Sequence, residues 1–262
     1  MATSSINGVS IHYEVDGSGE PLLFVHGLGG CLDNWSNQVK TFCDAYRVIR
    51  LDLRGFGGSE CPASDEAYSV AIFASDLLDL IDHLEEEAIH LIGTSMGGYV
   101  AQRFALSHPE RVKSLVLCHT TCRRDVPPEI LTTRIRALEK ADMNTYARLV
   151  VSQALAEGAP QELIDAIVES VSKNSKDAYV RVISKGLVGF DVCEELSRLS
   201  VPTLIIAGEK DQVIPPDRSR DLHRRIAGSR LEIIRNVGHL SYLERPEEFN
   251  AILMGFLSEL ST

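Results

Sequence analysis

Three features of the chain predict an α/β fold: a mostly parallel sheet with helices on both faces and an all-helical cap insert. Short β-rich runs alternate with longer helical patterns through most of the 262 residues. The runs are apolar on consecutive positions, as in strands buried on both faces. Between residues 123 and 190 the alternation stops and only helical periodicity remains.

Asn7-Gly8 is a hairpin signal joining two short strands, the second from Val9 to Val15. Strand-like runs follow at Leu22–Val25, Val48–Leu51, Ile89–Ile92, Leu115–Leu117, Leu204–Ile206 and Leu231–Ile234, each bounded by Gly, Pro or charge. Between them, Ser69 to Leu84 puts Ile72, Phe73, Leu77, Leu80 and Leu84 on one stripe, with Ser69 as N-cap. Pro246 opens a helix carrying Phe249, Ile252, Leu253 and Phe256. The insert holds four helical patterns, around Ile130–Leu138, Met143–Leu155, Leu163–Val171 and Tyr179–Leu187. The expected organisation is a core of residues 1–122 and 191–262, with 123–190 as a helical cap over the sheet edge.

Composition narrows the function classes. Hydrophobic residues make up 44% and charged residues 24%, which suits a globular chain with a sizeable core. With 26 Lys+Arg against 37 Asp+Glu the net charge is −11, so nucleic acid and anionic membrane surfaces are poor partners. No apolar run approaches the ~18 residues of a spanning helix. The start, MATSSINGVSIHYEVDG, has neither a basic head nor an apolar h-region, predicting no secretion signal and a cytoplasmic protein. The six cysteines are accordingly expected as reduced, structural thiols. No HExxH, cysteine-pair or carboxylate cluster suggests a metal, and Gly55-Phe56-Gly57-Gly58 is too short for a dinucleotide fingerprint, so no cofactor is expected.

Gly93-Thr94-Ser95-Met96-Gly97 begins where the run Ile89–Ile92 ends and leads straight into the helical stretch Gly98–Ser107. So tight a strand-to-helix turn strains the backbone at Ser95 and requires near-absent side chains two positions away on either side. It lifts the hydroxyl above the sheet, over a helix N-terminus that favours developing negative charge. A serine hydroxyl needs a base, and the base an orienting acid. His239 lies on the loop after the last strand-like run and is the expected base. His119 follows the run Leu115–Leu117 and is expected to line the pocket. His26 opens another loop, among glycines that suit a backbone role. The acid is expected on the loop Gly208–Pro215: Asp211 three residues past the glycine, with Glu209 as the alternative. Ser95, Asp211, His239 is also the chain order this scaffold uses. The N–H groups of Met96, and of Leu28 within His26-Gly27-Leu28-Gly29-Gly30, are the expected oxyanion donors. Val213, on the acid loop, is expected at the substrate. Trp35, after the oxyanion loop, is equally suited to packing a helix or to walling the pocket.

The ordered pieces HGLGG, DLRGFGGS (Asp52–Ser59), GTSMGG, GEKDQVIPP and NVGH resemble the α/β-hydrolase superfamily over nearly the whole chain outside the insert. The stretch from Ser95 through Ser107–Val112 to Leu115–Cys118 is similar to its small-ester and lactone branch, which includes 3-oxoadipate enol-lactonases. Phe56 stands where many relatives carry His, with no catalytic consequence expected. Serine at the elbow separates the chain from dehalogenases and epoxide hydrolases, which use Asp there. The resemblance implies a serine hydrolase cleaving a small carboxylic ester or lactone through an acyl-enzyme at Ser95. A carbon–carbon hydrolase using the same triad and a slow-turnover ligand sensor are the alternatives. The insert carries 10 Lys+Arg and 9 Asp+Glu, a net of +1 against −12 elsewhere, so it is the one cationic region and would favour anionic substrates. Arg134 resembles the cap arginine with which enol-lactonases hold a substrate carboxylate, although Leu131 replaces the tryptophan those relatives place nearby. The alternative is a solvated charge on a helix face.

Overall fold

The computed structural model describes residues 2–260. The hairpin β1 (Ala2–Ile6) and β2 (Val9–Asp16) is followed by β3 (Glu20–Val25), α1 (Ser36–Phe42), β4 (Tyr46–Leu51), α2 (Val70–His83), β5 (Ile89–Thr94), α3 (Met96–Ser107) and β6 (Val112–Cys118). Four helices come next: α4 (Pro128–Lys140), α5 (Met143–Ala154), α6 (Gln161–Ser172) and α7 (Lys176–Arg181), the last running into a π-turn, Val182–Gly186. The chain then returns to β7 (Thr203–Gly208), α8 (Pro216–Arg225), β8 (Arg230–Ile234), α9 (Ser241–Glu244) and α10 (Pro246–Leu260). The eight strands form one sheet in the order β1-β2-β4-β3-β5-β6-β7-β8, antiparallel up to the β2–β4 pair and parallel from β4 to β8.

Side chains alternate across a strand, so a continuous apolar run supplies both faces of the sheet. Leu23, Val25, Leu91, Leu115, Leu117 and Ile205 join the core under α2, α3 and α8. Leu22, Phe24, Ile92, Val116, Leu204 and Ile206 join the opposite core, with Phe42 of α1 and Phe249 and Leu253 of α10. A third, smaller core is built by α5 and α6 from Ala147, Val151, Leu155, Ile167, Val168 and Val171. Ser69 caps α2, accepting the Ile72 N–H at 3.1 Å, and Pro246 is the first residue of α10, as the sequence predicts. Every β-strand from β3 onward except β4 ends in a loop that carries one of the predicted site residues, and all these loops leave the same edge of the sheet. Among the described residues no helix is long and apolar enough to cross a membrane.

The expectation of six reduced thiols is corrected by one pair. Cys122 and Cys193, 71 residues apart, form a disulfide, while Cys31, Cys43, Cys61 and Cys118 are free. The two cysteines flank the helical segment at its exits from the sheet. There the chain pairs with itself: Val192 N–H donates to Cys122 O at 2.9 Å and Arg123 bridges Asp191. That pairing brings the sulfurs together and is invisible in spacing. It also removes the reasoning from cysteine content to a reducing compartment. Closing a loop of this length is worth about 4 kcal/mol on the chain-entropy model. A thiol reductant should therefore lower the melting temperature of the wild type but not of a Cys122→Ala, Cys193→Ala variant. Identical melting of both proteins with and without reductant would contradict a stabilising bridge.

Candidate active site

Ser95 sits between the end of β5 and the first residue of α3 with φ 53° and ψ −116°, a conformation that costs a non-glycine residue about 1–3 kcal/mol. Its backbone is fastened on both sides. Ser95 N–H donates to Cys118 O at 2.9 Å, and Ser95 O accepts from Gly98 N–H and from the Thr120 hydroxyl at 2.8 Å. The neighbouring glycines are sterically required: a Cβ on Gly93 would lie 2.3 Å from Gly97 O, and one on Gly97 would lie 2.4 Å from Val25 O. Met96, as the first residue of α3, has a backbone N–H with no intrahelical acceptor. Across the site, the turn after β3 is closed by Gly30 N–H to Gly27 O at 3.0 Å, which leaves Leu28 at its apex. His26 braces this turn. Its Nε2 accepts the Leu53 N–H at 3.0 Å, so the proton is on Nδ1, which donates to Gly27 O at 2.7 Å. Complete burial lowers its pKa and keeps it neutral. Phe56 packs edge-on against the His26 ring, at 5.7 Å between centroids. Asn174, which the sequence reading passed over, donates to Gly29 O at 2.7 Å from the helical segment.

Asp211 and His239 meet. His239 Nδ1 lies 2.7 Å from Asp211 Oδ2, leaving Nε2 as the free nitrogen of the ring. Asp211 Oδ1 accepts the N–H groups of Val213 and Ile214 at 2.9 and 2.8 Å. Glu209 is exposed and instead accepts the Asn236 N–H at 3.1 Å. His119 is not a pocket residue. It is fully buried, with Nε2 accepting the Ser241 N–H at 3.3 Å and Nδ1 donating to Asp211 Oδ2 at 3.2 Å. The strand β6 ends one residue earlier and the chain turns at His119 with φ 49°, which swings the side chain behind the acid loop. Burial works to raise the Asp211 pKa, but the field of His239 and the hydrogen bonds from both histidines overcome it and hold the carboxyl well below its usual range. His119, Asp211 and His239 gather ligand atoms within 4.8 Å of one another, a spacing open to a metal ion. Their Nδ1 protons are spent on the carboxylate, so the trio is wired for hydrogen bonding.

A cavity of about 360 Å³ opens above these loops, lined by Leu28, Ser95 and His239 on the sheet side and by Tyr146, Ile167 and Tyr179 of the helices. Arg134 and Val213 also line it, both exposed at its rim. Trp35 does not reach it: the indole is fully buried, stacked on Tyr242 at 4.4 Å and against Phe24 at 4.9 Å. Tyr242 stands between the indole and the cavity, so of the two roles left open for Trp35 the packing one holds.

The chain belongs to the α/β-hydrolase fold family, whose model matches residues 20–246. Among solved structures it is similar to an esterase from Thermogutta terrifontis, with TM-score 0.91 and 30% identity over 100% of this chain and 99% of the other. It is also similar to the enol-lactonase from Burkholderia xenovorans, with TM-score 0.92 and 27% identity over 98% of this chain and 100% of the other. A 2-hydroxy-6-oxo-6-phenylhexa-2,4-dienoate hydrolase of Comamonas testosteroni is 29% identical over 99% of this chain and 95% of its own.

The neutral state assigned to His119 is directly observable. Burial lowers its pKa, so its ring should stay uncharged at pH 6.5, where a free imidazole is half protonated. Nitrogen-resolved NMR should find one protonated and one bare ring nitrogen there, and a half-protonated ring would contradict the assignment.

Proposed function

We propose that this α/β hydrolase cleaves small carboxylic esters or lactones through an acyl-enzyme on Ser95. The observation that carries the reading is the 2.7 Å contact of His239 with a buried, ionised Asp211, in a chain whose His239 and strained Ser95 line the same cavity. In this mechanism Ser95 Oγ attacks the carbonyl carbon while His239 Nε2 takes its proton. The resulting oxyanion accepts hydrogen bonds from the N–H groups of Met96 and Leu28, each worth about 3–4 kcal/mol in such a site. Collapse expels the alkoxide, protonated by His239, and leaves the acyl group on Ser95. Water activated by the same histidine then releases the acid. Asp211 holds the ring in its Nδ1–H tautomer and stabilises the imidazolium. Segment 123–190 serves as the cap, supplying the apolar roof over the acyl group.

The likeness to a dienoate hydrolase supports a second reading, carbon–carbon cleavage by the same three residues. Rates on a dienoate and on a simple aryl ester separate the two.

Ser95→Ala and His239→Ala should each lower kcat by about 10⁶-fold with little change in melting temperature. Asp211→Asn should cost about 10⁴-fold, because the ring loses its orientation. Near wild-type rates for Asp211→Asn with an inactive Glu209→Gln would transfer the role to Glu209.

At the rim, we assign Arg134 to an anionic group on the substrate. It lies close enough to Tyr146 and Tyr179 to act on their hydroxyls, and all three line the cavity. Arg134→Ala should lower kcat/KM for an ester carrying a carboxylate by about 1 kcal/mol, near the upper end for an exposed ion pair. The neutral isostere should be unaffected. Equal losses on both would reduce Arg134 to packing.

A further inference from the structure

The loop carrying His239 is fastened from above by a carboxylate that the hydrolytic steps do not use. Glu244, the last residue of α9, accepts the Gly238 N–H at 3.0 Å and the Leu240 N–H at 3.3 Å on Oε1, and so grips both neighbours of the histidine. Its Oε2 accepts the Ala156 N–H at 2.9 Å, two residues past the end of α5. The His239 N–H itself donates to Ala154 O at 2.5 Å. The contact has no slack, since a Cβ on Gly238 would lie 2.4 Å from Ala154 O and 2.7 Å from Ala156 N. Leu240 and Leu243 pack against the small core of α5 and α6. All three backbone N–H groups from Gly238 to Leu240 therefore end on Glu244 or on the helical segment.

We propose that Glu244 is a positioning residue that couples the seating of the helical segment 123–190 to the placement of His239. Asp211 fixes the rotation of the imidazole, whereas Glu244 and Ala154 fix where its Cα stands over Ser95. A carboxylate gathering three N–H donors from two chain segments is a charge-assisted joint, stronger than neutral contacts of the same number. If α5 lifts, the His239 N–H loses its acceptor on Ala154 and Glu244 loses the Ala156 N–H, so the carboxylate that holds Gly238 and Leu240 is no longer tied to the helical segment. Hydrolysis then proceeds only with the segment seated. The inference rests on the reading of His239 as the base.

The test uses the full chain with three substitutions. Glu244→Ala should lower kcat by about 100-fold, the cost of an ångström-scale misplacement, with KM changed by less than about threefold. Glu244→Gln keeps one acceptor oxygen and should recover part of the loss. Ala156→Pro replaces the donor on the helical side with a ring carbon that the Glu244 carboxylate must move away from; Leu155 before it is already extended, at φ −96° and ψ 152°, as a following proline requires. It should lower kcat about tenfold although Glu244, Gly238 and Leu240 are intact. In Glu244→Ala, hydrogen exchange should quicken together in peptides spanning Ala154–Ala156 and Gly238–Leu240. Wild-type kcat in Ala156→Pro, or faster exchange confined to Gly238–Leu240, would overturn the coupling and leave Glu244 as a brace of its own loop. A wild type that hydrolyses neither esters nor lactones would instead overturn the assignment of His239, and the paired exchange alone would then decide the coupling.

Discussion

The site depends on one strained residue. Ser95 can hold φ 53° only because the strand before it and the helix after it are both locked into the sheet. The strain is offset by the bonds to Cys118 O and from Thr120, and by glycines that let β3, β5 and α3 approach to distances no side chain would permit. The same turn makes Met96 the first residue of α3, with its N–H free of any intrahelical acceptor. The proposed nucleophile, Ser95, and the proposed oxyanion donor, Met96, are thus adjacent in the chain.

Around this point the other loops are tied to one another more than to the sheet. His26 links the turn after β3 to Leu53, and Asp52 in turn accepts the N–H groups of Leu32 and Gly58. Asn174 holds Gly29 from the helical segment on one side of the cavity, and Ala154 and Ala156 hold the His239 loop on the other. With the disulfide at its base, the segment is pinned at three places. It acts as a frame for the site as much as a roof.

The sheet, the glycine-flanked turn at Ser95 and the contact of His239 with Asp211 in place of Glu209 were legible because each follows from local pattern. Apolar runs give buried strands, a glycine must sit two residues from Ser95, and an acid needs a few residues of loop to turn back on the sheet. What escaped was long-range. Nothing near Cys122 indicates that Cys193 lies across the neck, because self-pairing of Arg123 and Asp191 creates that proximity. His119 follows a strand as pocket residues do, but its positive φ aims it behind the acid. Trp35 is displaced from the cavity by Tyr242, a residue more than 200 positions away in the chain. Asn174 and Glu244 carry no motif at all, since their partners are backbone groups that exist only in the fold.

The central claim is that Ser95 forms a covalent acyl-enzyme. It is tested most directly by incubating the folded protein with a fluorophosphonate and mapping the modified peptide by mass spectrometry. One phosphonyl group per chain on Ser95, absent from folded Ser95→Ala and strongly slowed in His239→Ala, is the predicted result. A folded wild type that takes up no label at Ser95 would contradict it.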